Sequence, residues 1–457
     1  MKRSGLLRMS ILAAAIYKQK INAAPMVLKE DFDRTRLITL KNDKALNSVT
    51  PGMFCWLRDF YIHYPHSEDV LTIKDKDHRG DGAIYVLTGD GEKSFCAGGD
   101  VVTLSKREPE GALEEAILLE LQLYYYLWHT CHGPLEEIPF LLNYKNVRFD
   151  RITPPPVQPL RNKYVSLWNG YVFGGGAGLS MHGQYRVACP NTLFAMPEAS
   201  LGFFPDVASA YFLPRLERKS EYHTGDGVPG LGLYLGLMGA RVKGSDLVHA
   251  GIATHFVDSV ATLRKLQETL CDAAPEDVDK VMESYCVPRE TLPPFSLDPL
   301  RPLLERVFRL HEGTTLDHVV KELQRTAADK GAPEVEKTFA GNTLEKIGCG
   351  GPVVMDGSRE KAVLCPSSLV TTLHMQLRGS AEPTPAKTNE REYYGTLNSA
   401  MGEGNFMEGI RSLLTEKDNK PNWKPSTLAE AMRDEQLVQR LFDHKNYRKF
   451  DLFTPPE

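Results

Sequence analysis

Three consecutive glycines, Gly174, Gly175 and Gly176, close an apolar run and open a string of small residues in YVFGGGAGLSMHG. Without Cβ atoms, a backbone can pass here against another backbone or a ligand with no side chain between them. Three in a row are more than a turn needs. A second glycine turn lies upstream in SFCAGGDV, where Gly98 and Gly99 precede Asp100. Two acids follow the triplet in LFAMPEASLGFFPDV, Glu198 after Pro197 and Asp206 after Pro205. The prolines restrict the approach of the chain to each acid. Phe194, Ala195, Met196, Leu201, Phe203, Phe204 and Val207 surround them with apolar sequence. Buried carboxylates without a job are uncommon. Two turns able to aim N–H groups, with two acids close by, are the parts of an oxyanion hole with a base beside it. Each well-placed donor there is worth about 3 kcal/mol to a transition state that develops charge on oxygen.

The surrounding pattern is α/β. Leu37–Leu40 reads as a short strand, and Asn42 and Asp43 as a turn. A helix is expected after Thr50, with Pro51 in its first position. The run Ala83–Leu87 is continuously apolar, as in a strand buried on both faces. Asp100 suits a helix cap, Leu113–Trp128 has helical period, and Tyr164–Leu167 is another short strand leading into the triplet. Residues 133–162 carry Pro154-Pro155-Pro156 and no period, which predicts a surface insertion, and 217–230 reads as a shorter one. Beyond residue 285 only helices and loops are expected. The organisation predicted is a targeting segment over 1–28, a core over 29–284 and a helical region over 285–457.

Composition excludes several classes. A net charge of −5 gives no global basic field for nucleic acid or anionic membrane. Eight cysteines show no C-x-x-C pair, and no H-E-x-x-H occurs, so neither a metal site nor a disulfide framework is indicated. Cys96 beside the first glycine turn reads as packing, and Tyr124-Tyr125-Tyr126 as helix packing. Gly225–Gly230 fits G-x-G-x-x-G, but no strand precedes it and Pro229 interrupts it. His182 stands where G-x-S-x-G needs its last glycine. At the amino terminus Lys2, Arg3, Arg8, Lys18 and Lys20 precede the first acid, Glu30. That basic, acid-free start reads as a mitochondrial targeting segment, with an apolar stretch too short to span a bilayer.

The two glycine turns with Glu198 resemble the crotonase (enoyl-CoA hydratase/isomerase) superfamily. The likeness continues through YFLPRL, LMGARVKGSDLVHAGIATHFVDS and NFMEGIRSLLTEKDNKPNW, and spans residues 36–425. It implies a crotonase-like ββα spiral core with a helical C-terminal region. By that resemblance the N–H groups of Gly99 and Gly175 hold a thioester oxygen. Glu198 activates water or attacks directly, and Asp206 contacts a substrate hydroxyl or assists proton transfer. Ala97 and the turn at Lys44, Ala45 and Leu46 lie along the acyl-CoA. A substrate-contacting glutamate falls at Glu120, with Leu121 the alternative register. Hydratases of the superfamily carry a further glutamate at the place of Gly178 and a glycine at the place of Asp206. This chain therefore resembles the branch that hydrolyses acyl-CoA thioesters, in branched-chain amino-acid breakdown in the mitochondrial matrix. The usual FPDVGGG reads FPDVASA here, at Ala208, Ser209 and Ala210. No cofactor is implied beyond the CoA of the substrate. Hydratase or isomerase activity, homo-oligomer formation, and a place in the small subunit of the mitochondrial ribosome stay open as alternatives.

Overall fold

Ile84, Tyr85, Val86 and Leu87 are all buried, but in two different cores. Successive strand side chains point to opposite faces. Ile84 and Val86 therefore meet one cluster, and Tyr85 and Leu87 the other. This is the physical meaning of the continuous apolar run at 83–87. The chain is described here by a computed structural model covering residues 26–63, 83–102, 112–132, 162–348 and 364–450, except 224, 402, 403, 446 and 448. Almost all of the segment expected to be a targeting sequence, and all of the 133–162 insertion but its last residue, lie outside these residues.

Among the described residues, ten strands form two sheets. In chain order they are β1 Val27–Asp31, β2 Thr35–Leu40, β3 Ile84–Gly89, β4 Ser94–Cys96, β5 Lys163–Trp168, β6 Tyr171–Phe173, β7 Tyr185–Ala188, β8 Leu193–Ala195, β9 Val242–Lys243 and β10 His255–Phe256. One sheet has the order β1-β2-β3-β5-β7-β10 and the other β4-β6-β8-β9. Each pair β3/β4, β5/β6 and β7/β8 gives one strand to each sheet, and neighbouring pairs run parallel. The two sheets thus grow together, turn by turn, as the ββα spiral that the resemblance implied. Tyr85 and Tyr164 stack across β3 and β5 with ring centres 5.1 Å apart.

Helices cover both faces. The Val260–Cys271 helix starts at a Ser259 cap and packs Leu263, Leu266 and Leu270 on Leu37, Val86 and Val165. The opposite face carries the Pro51–His63 and Ala112–His132 helices. After residue 256 every described element is helical, including Pro366–Ser380 and Ala386–Met401. Residues 217–230, read as a short insertion, combine exposed Arg218, Lys219, Glu221 and Asp226 with buried Tyr222, His223 and Val228, and the buried Arg186 donates to the Tyr222 carbonyl at 3.0 Å.

The triplet's last member shows why glycine is required. A Cβ on Gly176 would lie 2.4 Å from the Cys96 carbonyl oxygen, so the Gly175–Met181 helix rests directly on β4. Gly176→Ala is expected to lower the urea midpoint by an amount worth about 1–3 kcal/mol. An unchanged midpoint would mean that helix and strand do not meet as described.

Candidate active site

β4 and β6 are parallel neighbours, so the turns that leave their C-terminal ends emerge side by side. One turn is Ala97-Gly98-Gly99 and the other Gly174-Gly175. The first is tied down from below. Val49 N–H donates to the Gly98 carbonyl and Asp100 N–H to the Val49 carbonyl, each at 2.9 Å. Gly98 sits at φ 108° and Gly174 at φ 44°, conformations that side chains rarely adopt. A Cβ on Gly175 would lie 3.1 Å from Gly99 N. Among the described residues, neither the Gly99 N–H nor the Gly175 N–H finds an acceptor. Two unpaired donors therefore stand together on half-buried to buried backbone.

β8 pairs with β6 on the other side, which delivers Glu198 next to Gly174. A Cβ on Gly174 would be 2.9 Å from Glu198 Oε1. Glu198 is 7% exposed, and its Oε2 has no hydrogen-bond partner. Burial, and then the charge of Asp206, hold its carboxyl well above the usual range. Asp206 and Glu120 keep part of their surface exposed. Burial raises both, and the Asp206 charge raises Glu120 further. Glu120 accepts a 2.6 Å hydrogen bond from Tyr124 Oη, and the same hydroxyl lies 3.5 Å from the Gly175 carbonyl. Leu121, the alternative register, is packed in the core.

The structure thus brings Gly99, Gly175, Glu198, Asp206 and Glu120 to one place. Ala97 borders it, and its N–H donates to the Leu46 carbonyl at 3.0 Å. Leu46 and the exposed Lys44 and Ala45 form a turn against the first glycine turn, at its rim rather than its centre. Cys96 is fully buried and its thiol is pushed up to about 12 by burial, so it is no nucleophile. Among the described residues no group of His, Cys, Asp or Glu could hold a metal ion, and no helix is long and apolar enough to cross a membrane.

Residues 35–135 and 157–442 match the enoyl-CoA hydratase/isomerase family model. The chain belongs to that family. A protein of Danio rerio named "3-hydroxyisobutyryl-CoA hydrolase, mitochondrial" is 32% identical, with 94% of this chain and 92% of its own length covered. One of the same name from Rattus norvegicus is 32% identical over 95% of this chain and 93% of its own. The crystal structure of a carnitinyl-CoA dehydratase from Mycobacterium thermoresistibile is 24% identical and superposes with a TM-score of 0.65 over 93% of this chain and 98% of that one. This last likeness concerns the fold.

Within the family frame, Gly178 marks a physical boundary. A Cβ there would lie 2.5 Å from Tyr124 Cζ and 2.7 Å from Val207 Cβ. The space beside Gly178 is filled by a tyrosine ring and a valine, leaving no room for a longer side chain. Two site neighbours escaped the reading of the sequence. Tyr124, taken as packing, supplies the hydroxyl on Glu120. Glu392, on the Ala386–Met401 helix, is fully buried, and the Asp206 charge helps burial raise its carboxyl. Its signal was present, because Asn389, Glu392, Tyr393 and Leu397 trace one buried helical stripe with a charge on it.

The acid burial has a measurable cost. Glu198 is raised in the folded chain, so between its unfolded and folded pKa values the folded state binds more protons. The stability lost is therefore absent below the ordinary carboxylate range and grows as pH rises. Glu198→Gln is expected to melt about 2 °C or more above the parent at pH 8, with the gap closing near pH 4. Thermal melts at both pH values check this, and an equal gap at both would contradict it.

Proposed function

We propose that this chain is an acyl-CoA thioester hydrolase acting on 3-hydroxyisobutyryl-CoA in valine breakdown, in the mitochondrial matrix. One observation carries the reading: the unpaired N–H groups of Gly99 and Gly175 stand together within reach of the buried Glu198. The hydrolase name and the mitochondrial label of the relatives support it, as does the basic start of the sequence.

The chemistry follows from the geometry. The thioester carbonyl oxygen accepts from both N–H groups, which become its partners as negative charge builds. Glu198, as carboxylate, takes a proton from water while the water oxygen bonds to the carbonyl carbon. Collapse of the adduct breaks the C–S bond, and the CoA thiolate leaves and takes up a proton. Direct attack by Glu198 through an anhydride would balance equally, with water then cleaving it. Asp206 and Glu120 lie on the acyl side and suit the substrate hydroxyl, and the Lys44–Leu46 turn suits the CoA nucleotide.

Hydration of a double bond uses two glutamates on one water, and the second has no space at Gly178. The ribosomal alternative draws no support from the relatives, which carry enzyme names.

Two measurements test the proposal. Free CoA released from a small panel of acyl-CoAs should be fastest from 3-hydroxyisobutyryl-CoA, and Glu198→Gln should lower kcat about 10²–10⁴-fold. A folded Gln variant at full rate removes Glu198 from the mechanism. The acidic limb of kcat/KM should lie above the usual carboxylate range, because Glu198 must ionise. Asp206→Asn removes a charge that raises Glu198, so in its residual activity that limb should move to lower pH. A limb that moves up or stays would separate the two acids.

A further inference from the structure

Asp206 is followed by two residues with side chains in the left-handed region, Val207 at φ 57° and Ala208 at φ 59°. A β-branched residue there is an outlier, and such a turn persists only where its surroundings hold it. The holding groups are identifiable. One peptide unit joins Val207 to Ala208, and both its polar groups are gripped by buried side chains. On one side, the Ala208 N–H donates to Glu392 Oε2 at 2.7 Å. On the other, His182 Nε2 lies 3.4 Å from the Val207 carbonyl oxygen. A carbonyl only accepts, so Nε2 carries the proton. His182 Nδ1 is then the acceptor for the Tyr222 hydroxyl at 3.0 Å. Burial above all keeps this ring neutral, with its pKa lowered to about 3.

The grip is specific for one orientation of the peptide. Rotating that peptide by half a turn would take Ala208 out of positive φ and relieve its strain. It would also turn the carbonyl toward the Glu392 acceptor and the N–H toward the His182 donor. Both side chains therefore oppose the rotation. Each is anchored elsewhere. His182 ends the helix that begins at Gly175, and its own carbonyl accepts from His132 Nε2 at 3.1 Å. Glu392 rides on the Ala386–Met401 helix, where Asn389 Nδ2 donates to the Leu121 carbonyl beside Glu120 at 3.3 Å. The turn itself closes through the Ser209 N–H on the Asp206 carbonyl at 2.8 Å.

We propose that Glu392, opposed by His182, is a positioning residue for Asp206: the pair clamps the Val207–Ala208 peptide and so holds the strained turn that presents Asp206 to the glycine-turn site. This rests on the reading of Asp206 as a site residue of a thioester hydrolase. It makes the C-terminal helical region a working part of the site rather than a cover.

Reach and charge at position 392 can be separated. Glu392→Gln keeps an acceptor at the same distance and removes the acid. Glu392→Asp keeps the acid and withdraws the acceptor by one methylene. CoA release from 3-hydroxyisobutyryl-CoA should stay within about 3-fold of the parent in the Gln variant and fall about 10–100-fold in kcat in the Asp variant. Adding Ala208→Gly to Glu392→Asp should recover part of that loss, since glycine takes positive φ without strain. The order reversed, or a folded Asp variant at parental rate, would overturn the proposal. Hydrogen exchange over residues 206–212 reads the clamp without activity, and should quicken in the Asp variant and not in the Gln variant. Unchanged exchange in the Asp variant denies the clamp, and quickened exchange with intact kcat denies its role in positioning Asp206. If the parent itself cleaves no acyl-CoA, the hydrolase reading fails, and the exchange result still decides whether the clamp exists.

Discussion

The whole site depends on backbone meeting backbone. β4 and β6 lie side by side, and the helix that begins at Gly175 sits on the Cys96 carbonyl with no side chain between them. That contact sets where two separate turns end. Any Cβ at Gly176 would push the helix off the strand and move Gly175 away from Gly99. Read as the proposed oxyanion hole, such a pair of backbone donors needs no side chain to move during the reaction. Both turns leave neighbouring strands of one sheet, and the packed cores hold that sheet in place.

Against those donors the fold sets an unusual concentration of acid. Glu120, Glu392 and the Glu198–Asp206 pair come from three distant segments and share one poorly solvated region. Burial raises all four, and mutual repulsion adds to it for three. The arrangement is unfavourable for stability and useful for chemistry, since a carboxylate stripped of water is a stronger base than one in solution. The strained turn after Asp206 belongs to the same account. Local strain and buried charge concentrate beside the two glycine turns, and the surrounding helices hold them there.

The glycine turns, the two proline-led acids and the strand–turn–helix rhythm were legible in the text. Each is a local demand: a missing Cβ, a fixed φ, an alternation of apolar residues. Glu120 was legible only through resemblance, because nothing in the LLELQLYYYLW pattern distinguishes its face from that of Leu121 until the helix is docked. Tyr124 read as packing for the same reason, since a tyrosine ring packs and its hydroxyl shows its partner only in three dimensions. Residues 217–230 read as surface because polar residues outnumber Tyr222, His223 and Val228, although those three are what the core receives.

The sequence by itself therefore determined the backbone chemistry of this protein, meaning where the chain turns without side chains, which strands are buried on both faces, and which two acids follow the second turn. Only the tertiary structure decided that the two turns lie side by side, that Tyr124 and Val207 close the space beside Gly178, and that Glu392 reaches Ala208 across 184 positions of chain. The physical reason is range. Glycine, proline and periodicity act within a few residues, whereas convergence and exclusion are set by how the sheets and helices pack.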